Sequence, residues 1–227
     1  MKRDANLIRF KDGFLIHACD SAGGIGSLEN DLLNVPVEIT AKYTLRTALM
    51  EVISLGGEPL SVSFEFANNP EYAQRALNGV IDILKKFSLP FILSTEKNFR
   101  TSQSGIGVSV VGFTRSPIIG KASAGVFVFV AGFPLVGEEL LKNEEKVLTF
   151  DEFLKIRSCP QVGEIIPVGS SGVFEEAKLL ASNSGLKLKL EIDEEWLYKS
   201  GGPSTSVVFW ANGSFDKAIR IGVLENE

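Results

Sequence analysis

The stretch Phe14-Leu15-Ile16-His17-Ala18-Cys19-Asp20-Ser21-Ala22-Gly23-Gly24-Ile25-Gly26 decides how this chain is read. A short apolar run of strand composition ends in an acid, Asp20, and a polar, glycine-rich loop is expected from Ser21 to Asn34. Beyond it Pro36 opens a helical pattern. Ile39, Leu45, Leu49, Val52 and Ile53 recur at about 100° per residue, which predicts an amphipathic helix. Gly56-Gly57 stops it and Pro59 lies just beyond. Ser61 to Phe66 alternates, with Val62, Phe64 and Phe66 on one face, as a half-buried strand does. Asn69-Pro70 is a helix start, with asparagine as cap and proline in the first turn. Tyr72, Ala76, Leu77, Val80, Ile81 and Leu84 form its apolar stripe. Pro90 restarts the chain as a strand, Phe91 to Leu93, and a further strand is predicted from Gly107 to Thr114.

Ser116-Pro117 marks a junction, so residues 1–115 and 116–227 are expected to be separate domains. The first reads as a sheet covered on one face by helices. The second begins with a buried-type strand, Gly125 to Ala131. Thr149 and Glu152 have the spacing of a capping box for a helix through Arg157. A helix is expected from Val173 to Asn183, and strands near Lys187–Ile192, Ser206–Ala211 and Ile219–Leu224. The fold class is therefore α+β.

The chain has 227 residues, 44% of them hydrophobic, enough for one or two packed cores. Its formal net charge of −5 and lack of a dense Lys/Arg cluster argue against nucleic-acid binding. Acidic balance is compatible with nucleotides, which carboxylates hold through bridging Mg²⁺. Cys19 and Cys159 lack CxxC spacing and read as reduced thiols. Met1 to Asn6 lacks the apolar core of a signal peptide, and the longest apolar stretch, Val126 to Val136, is too short to span a membrane. These features lead to the expectation of a cytoplasmic protein without membrane contact.

Several chemistries drop out. There is no GxxxxGK[ST] phosphate loop, HExxH, GxSxG or metal-spaced Cys/His cluster. Gly23-Gly24-Ile25-Gly26 lacks the last glycine of GxGxxG. The single histidine, His17, sits inside an apolar strand and reads as structural. What remains is a set of acids at strand ends and in loops: Asp4, Asp20, Glu51 and Glu96. Glu51 shares a helix face with Thr40, Thr44 and Thr47. Each acid is either solvated, as most are, or one of four carboxylates converging into a hard-cation site.

Read in order, these segments resemble a known motif series. Arg3-Asp4-Ala5 and His17-Ala18-Cys19-Asp20 open it. Glu51-Val52-Ile53-Ser54-Leu55-Gly56-Gly57-Glu58-Pro59 and Ser94-Thr95-Glu96-Lys97 follow. Gly105-Ile106-Gly107-Val108-Ser109-Val110-Val111-Gly112 comes next, and Val168-Gly169-Ser170-Ser171-Gly172-Val173 closes it. The series is similar to that of the aminoimidazole-ribonucleotide synthetase (PurM-like) superfamily, which includes thiamine-monophosphate kinase, selenide–water dikinase and a hydrogenase-maturation dehydratase. This chain departs from it in four ways. It is shorter, the Gly-Gly before Glu96 is lost, Ser171 replaces an acid, and Glu51 and Glu96 replace aspartates. These departures argue against orthodox synthetase or thiamine-phosphate kinase activity. Ala48-Leu49-Met50-Glu51 and the block Ser94 to Gly105, with Asn98, Phe99, Thr101, Gln103 and Ser104, resemble the α-ribazole kinase branch.

The resemblance implies a ferredoxin-like α+β domain whose sheet forms a β-barrel across a homodimer, with a smaller C-terminal α+β domain. It implies ATP and Mg²⁺ as cofactors and a nucleoside-like small molecule as acceptor, the 5′-hydroxyl of α-ribazole in the closest branch. Asp4, Asp20, Glu51 and Glu96 are then metal ligands, with Asp20 and Glu96 also catalytic. Asp4, Ser21, Gly23, Gly24, Lys97, Asn98, Thr101 and Gln103 lie on the nucleotide side, and Phe99 and Ser171 on the substrate side. Lys97 or Arg100 would neutralise phosphate charge, or both are solvated loop cations. Two other readings stay open: another ATP-dependent enzyme of the superfamily, such as a cyclo-ligase, and a nucleotide-binding regulator without catalysis.

Overall fold

The computed structural model describes residues 3–215 and 217–226. They form two compact units. One holds residues 3–53 and 57–116, the other residues 54–56 and the chain from Pro117 onward.

In the first unit, β1 (Ala5–Phe10) and β2 (Gly13–Gly23) make an antiparallel hairpin. Lys11 takes a left-handed conformation in the turn, and Gly13 follows where a Cβ would lie 2.4 Å from the Thr114 carbonyl. The sequence pattern places its first strand at Phe14 and gives no warning of β1, whose side chains alternate only weakly. β2 also runs past Asp20 into the expected loop, because its ladder to the last strand of the unit continues from Asp20↔Val108 to Gly23↔Gly105. The rest of the glycine-rich segment is a tight loop, closed where β3 (Ile25–Gly26) pairs in parallel with β4 (Leu33–Asn34).

The helix α1 (Val37–Ser54) follows. It is not the one-sided helix that its apolar spacing predicts. Leu45 and Leu49 are fully buried, but so nearly are Thr40, Thr44, Arg46 and Glu51 on its polar side. Then come β5 (Glu58–Phe66), α2 (Pro70–Asn78), α3 (Ile81–Lys86), β6 (Phe91–Thr95) and β7 (Gly105–Thr114). The stripe from Tyr72 to Leu84 is thus split into two helices. The break falls at Gly79, where a Cβ would stand 2.1 Å from the Glu38 carbonyl at the start of α1.

The sheet order is β1-β2-β7-β5-β6, with β5 and β6 parallel and the other pairs antiparallel. Alternation sorts its residues. Ile16, Ala18, Val62, Phe64, Phe66, Val108 and Val110 are buried on one face, where Val52 of α1 lies against Gly112. The other face carries Ile8, Phe10, His17, Cys19, Ser63, Glu65 and Ile92, all of them partly or wholly exposed. Within one chain the sheet has two edges, β1 and β6, and does not close into a barrel.

The second unit contains β8 (Phe127–Ala131), α4 (Glu138–Lys142), α5 (Phe150–Ser158), β9 (Val162–Pro167), α6 (Gly172–Asn183), β10 (Lys187–Leu190), β11 (Val207–Ala211) and β12 (Ile219–Glu225). Its sheet is wholly antiparallel, in the order β10-β12-β8-β11-β9. The expected capping box starts α5: the Glu152 amide donates to the Thr149 hydroxyl at 3.2 Å and the Thr149 amide to the Glu152 carboxylate at 3.1 Å. The edge strand β9 and the short α4 were not expected. β9 is only six residues with glycine and proline in it, and its pairing to β11 makes it a strand. Val128, Val130, Ile166, Val208 and Ile221 meet Val173, Ala177 and Leu180 of α6 in one apolar core. Phe129 and Phe209 point to the opposite face, where Phe215 joins them at ring separations of 5.6 and 5.2 Å. No helix among the described residues is long and apolar enough to cross a membrane.

Candidate active site

Asp20 lies near the carboxyl end of β2 and shares the parity of Ile16 and Ala18, so it faces α1 and not solvent. Burial pushes its carboxyl up to about 6, against donation from the Ser21 amide and the Thr47 hydroxyl of α1. Thr47 stands about one turn before Glu51. Glu51 is 5% exposed and is met by the guanidinium of Arg3 at 3.4 Å. Asp4, exposed, directly precedes Ala5, which pairs with Ala18. Three of the four expected acids therefore gather at one end of the β1–β2 hairpin and the adjoining part of α1.

They do not form a cation cage within one chain. Among the described residues no three His, Cys, Asp or Glu side chains are placed to hold a metal ion together. The packing shows what holds the expected ligands Glu51 and Glu96 apart from Asp4 and Asp20 in this chain. Arg3 neutralises Glu51. Glu96 turns back on its own loop, and its Oε1 accepts the amides of Asn98 at 2.5 Å and Phe99 at 3.1 Å. Those two amides hold its carboxyl below the ordinary value. Asp20 is the acid whose surroundings fit a divalent cation. It is a hard oxygen ligand, half withdrawn from water and costly to ionise without positive charge beside it.

Two loops rise beside this end of the sheet, 24–34 after β2 and 96–104 after β6, and polar side chains lace them together. Asp31 accepts the Leu28 amide at 2.8 Å, the Ser104 amide at 2.7 Å and the Ser104 hydroxyl at 2.6 Å. Burial works to raise the Asp31 carboxyl, but these donors together hold it below its usual value. The Ser104 hydroxyl also makes a short hydrogen bond with the Tyr72 hydroxyl, which accepts the Ser27 amide at 3.1 Å. Gly26 must be glycine here, since a Cβ would lie 2.1 Å from Ser104 Oγ and 2.4 Å from the Tyr72 hydroxyl. Gln103 Nε2 donates to the Asn30 carbonyl at 2.7 Å.

The expected nucleotide-side residues divide on this lacing. Gly24 is buried at φ +67, and its amide donates to the Ser104 carbonyl at 2.8 Å. Thr101 donates its hydroxyl to the Ala67 carbonyl at 2.9 Å, and Gln103 reaches Asn30. These three groups are engaged in holding the loops. Ser21, Gly23, Lys97 and Asn98 are exposed, as is Arg100, and Phe99 is 79% exposed at the outer end of its loop. Ser171 is exposed at the start of α6 in the second unit, where it makes no side-chain capping bond. Four residues organise the loops: the sequence marks neither Asp31 nor Asn68, and shows Tyr72 only in an apolar stripe and Ser104 only within the Ser94 to Gly105 block. The signal was present in part: Asp31 three residues after Leu28 suits a side-chain-to-backbone turn.

No protein-family model matches the chain, and no curated protein matches it in sequence. Solved structures do. Thiamine monophosphate kinase from Aquifex aeolicus is 18% identical with a TM-score of 0.72, covering 98% of this chain and 89% of that one. AaThiL complexed with AMPPCP and TMP matches at 17% identity and a TM-score of 0.72, over 99% of this chain and 85% of the other. Phosphoribosylformylglycinamidine synthase II from Thermotoga maritima is 15% identical with a TM-score of 0.61; the match covers 98% of this chain but 37% of that larger protein. The two sheets, the paired loops and the covering helices thus give this chain the α+β fold shared by thiamine monophosphate kinase and phosphoribosylformylglycinamidine synthase II.

Proposed function

We propose that the protein is an ATP- and Mg²⁺-dependent small-molecule kinase. The observation that carries this reading is the half-buried carboxyl of Asp20, near the end of β2 and beside two laced loops, in a fold that matches a kinase structure holding AMPPCP along nearly its whole length. Phosphoryl transfer asks little covalent chemistry of a protein; it asks for in-line placement and cancellation of charge on phosphate oxygens. Mg²⁺ would supply that cancellation, with Asp20 as its principal ligand in this chain and Asp4, just before β1, as a second. Glu51, held by Arg3, keeps the metal end of α1 in place. Glu96 shapes the loop that carries Lys97, Asn98 and Arg100, and the exposed side chains of Lys97 and Arg100 would meet phosphates. Ser21 and Gly23 line the β2 side.

The acceptor proposed is the 5′-hydroxyl of a nucleoside-like molecule, α-ribazole in particular, on the strength of the Ala48–Glu51 and Ser94–Gly105 blocks. Phe99 is its proposed contact in the first unit. A homodimer belongs to the proposal, because the open face of the first sheet exposes Ile8, Phe10 and Ile92. The protein is incubated with Mg-ATP and, in turn, α-ribazole, thiamine monophosphate and formylglycinamide ribonucleotide. ADP and phosphorylated product are then measured. Product with α-ribazole alone supports the full reading, and ADP with the amide substrate would move it to an amide-activating ligase. The regulator reading draws on the absence of a three-acid metal cluster among the described residues. Binding of Mg-ATP with no turnover on any acceptor would favour it.

A further inference from the structure

Asn68 lies two residues beyond the end of β5, just before the Asn69 cap of α2. It is 3% exposed, unusual for an asparagine unless every polar atom has a partner. All of its side-chain bonds go to one segment. Nδ2 donates to the Thr101 hydroxyl at 2.7 Å and to the Gln103 carbonyl at 2.9 Å, and Oδ1 accepts the Gly105 amide at 3.0 Å. Its own carbonyl, with that of Phe66, accepts the Glu96 amide at 3.1 and 3.0 Å. Thr101 extends the chain of bonds to the Ala67 carbonyl. One residue therefore fixes both ends of the loop 96–104. Between the fixed points stand the exposed Lys97, Asn98, Phe99 and Arg100, and Glu96 caps the amides of the middle two.

We infer that Asn68 is a positioning residue: through its amide it holds the 96–104 loop in the shape that points Lys97 and Arg100 at the phosphate-bearing ligand. The inference rests on the kinase reading of this site. An amide is required at this position. Aspartate has the same size, but it would set an oxygen against the Gln103 carbonyl and leave that carbonyl and Thr101 without a donor. Alanine would leave the Gln103 carbonyl and the Gly105 amide without their partner. Either change frees the loop without touching Lys97 or Arg100.

The test uses the full chain and steady-state kinetics with varied Mg-ATP, at a temperature where each variant is fully folded by circular dichroism. Asn68→Ala and Asn68→Asp are each expected to lower kcat/KM for Mg-ATP by about tenfold to a hundredfold, since small misplacements of positioning groups carry such losses. Asn68→Ala combined with Thr101→Val is expected to lose no more than the worse single variant, because both remove one connected network. A purely structural Asn68 would lower the melting temperature and leave the kinetics of the folded protein unchanged, and that result overturns the inference. Lys97→Ala/Arg100→Ala separates the two failures. Loss of Mg-ATP kinetics in this double variant with unchanged kinetics in both Asn68 variants sinks the positioning role and keeps the site. Unchanged kinetics in the double variant removes the loop from the site, and the inference goes with it. Should Asn68→Ala not fold, Asn68→Asp and Thr101→Val decide the same question.

Discussion

The two units hold their polar groups in opposite ways. In the second unit the ion pairs lie on the surface. Lys178–Glu175, Lys189–Glu225, Lys199–Glu139 and Lys217–Glu152 are surface pairs around an interior of valine, leucine and phenylalanine. Two acids are buried in it, Glu176 and Glu164, and Glu164 is satisfied by the Gly120 amide at 2.7 Å and Asn183 Nδ2 at 2.8 Å. The first unit puts Asp20, Arg46, Glu51 and Asn68 under its sheet and loops. Burial pulls the Arg46 guanidinium down to about 10, with the Tyr43 nearby acting in the opposite direction. Removing charged groups from water is costly, and such groups persist where they have a task beyond cohesion. The contrast agrees with the proposed site in the first unit.

Breaking the Arg3–Glu51 pair should show the contrast most strongly in stability. Arg3→Ala removes the guanidinium that meets the buried Glu51 carboxylate and is expected to cost about 3–5 kcal/mol in urea unfolding. A smaller effect, up to about 3 kcal/mol, is expected from Asp20 through pH. Its carboxyl titrates at about 6 in the folded chain and near 3.9 when unfolded, so the folded state binds the proton more tightly. Stability from this group is full below pH ~4 and is lost as pH rises through about 6. Asp20→Asn should flatten that slope between these limits, and an unchanged slope would assign it to another group. Tyr72→Phe removes the hydroxyl shared by Ser104 and Ser27 and is expected to cost about 1–2 kcal/mol. Lys189→Ala in the second unit should change stability by about 0.5 kcal/mol or less. A loss as large as that of Arg3→Ala would erase the distinction between the units.

Local rules read the second unit well. The Thr149–Glu152 box and the Val173–Asn183 helix need only their own residues, and both are present with small shifts in boundary. The first unit was legible where burial follows a period, as in β5, and opaque where the structure depends on partners far along the chain. β1 exists because β2 pairs with it, and the α2–α3 break exists because Glu38 passes Gly79. The acids were visible as residue types. What they meet was not: Arg3 against Glu51 is 48 residues away, and Asp31 against Ser104 is 73. A glycine-rich loop in the sequence is a hydrogen-bonded platform in the fold because of distant partners, Ser104 and Tyr72, the second of which reads only as part of an apolar stripe.

The most direct test is Mg-ATP binding by isothermal titration calorimetry at pH 7.5, in the parent protein and in Asp20→Asn. A desolvated carboxylate that recruits the cation predicts measurable Mg-dependent ATP binding in the parent and at least about a tenfold weaker Kd in the variant, or about 1.4 kcal/mol. Equal binding in both proteins, or binding indifferent to Mg²⁺, would contradict it.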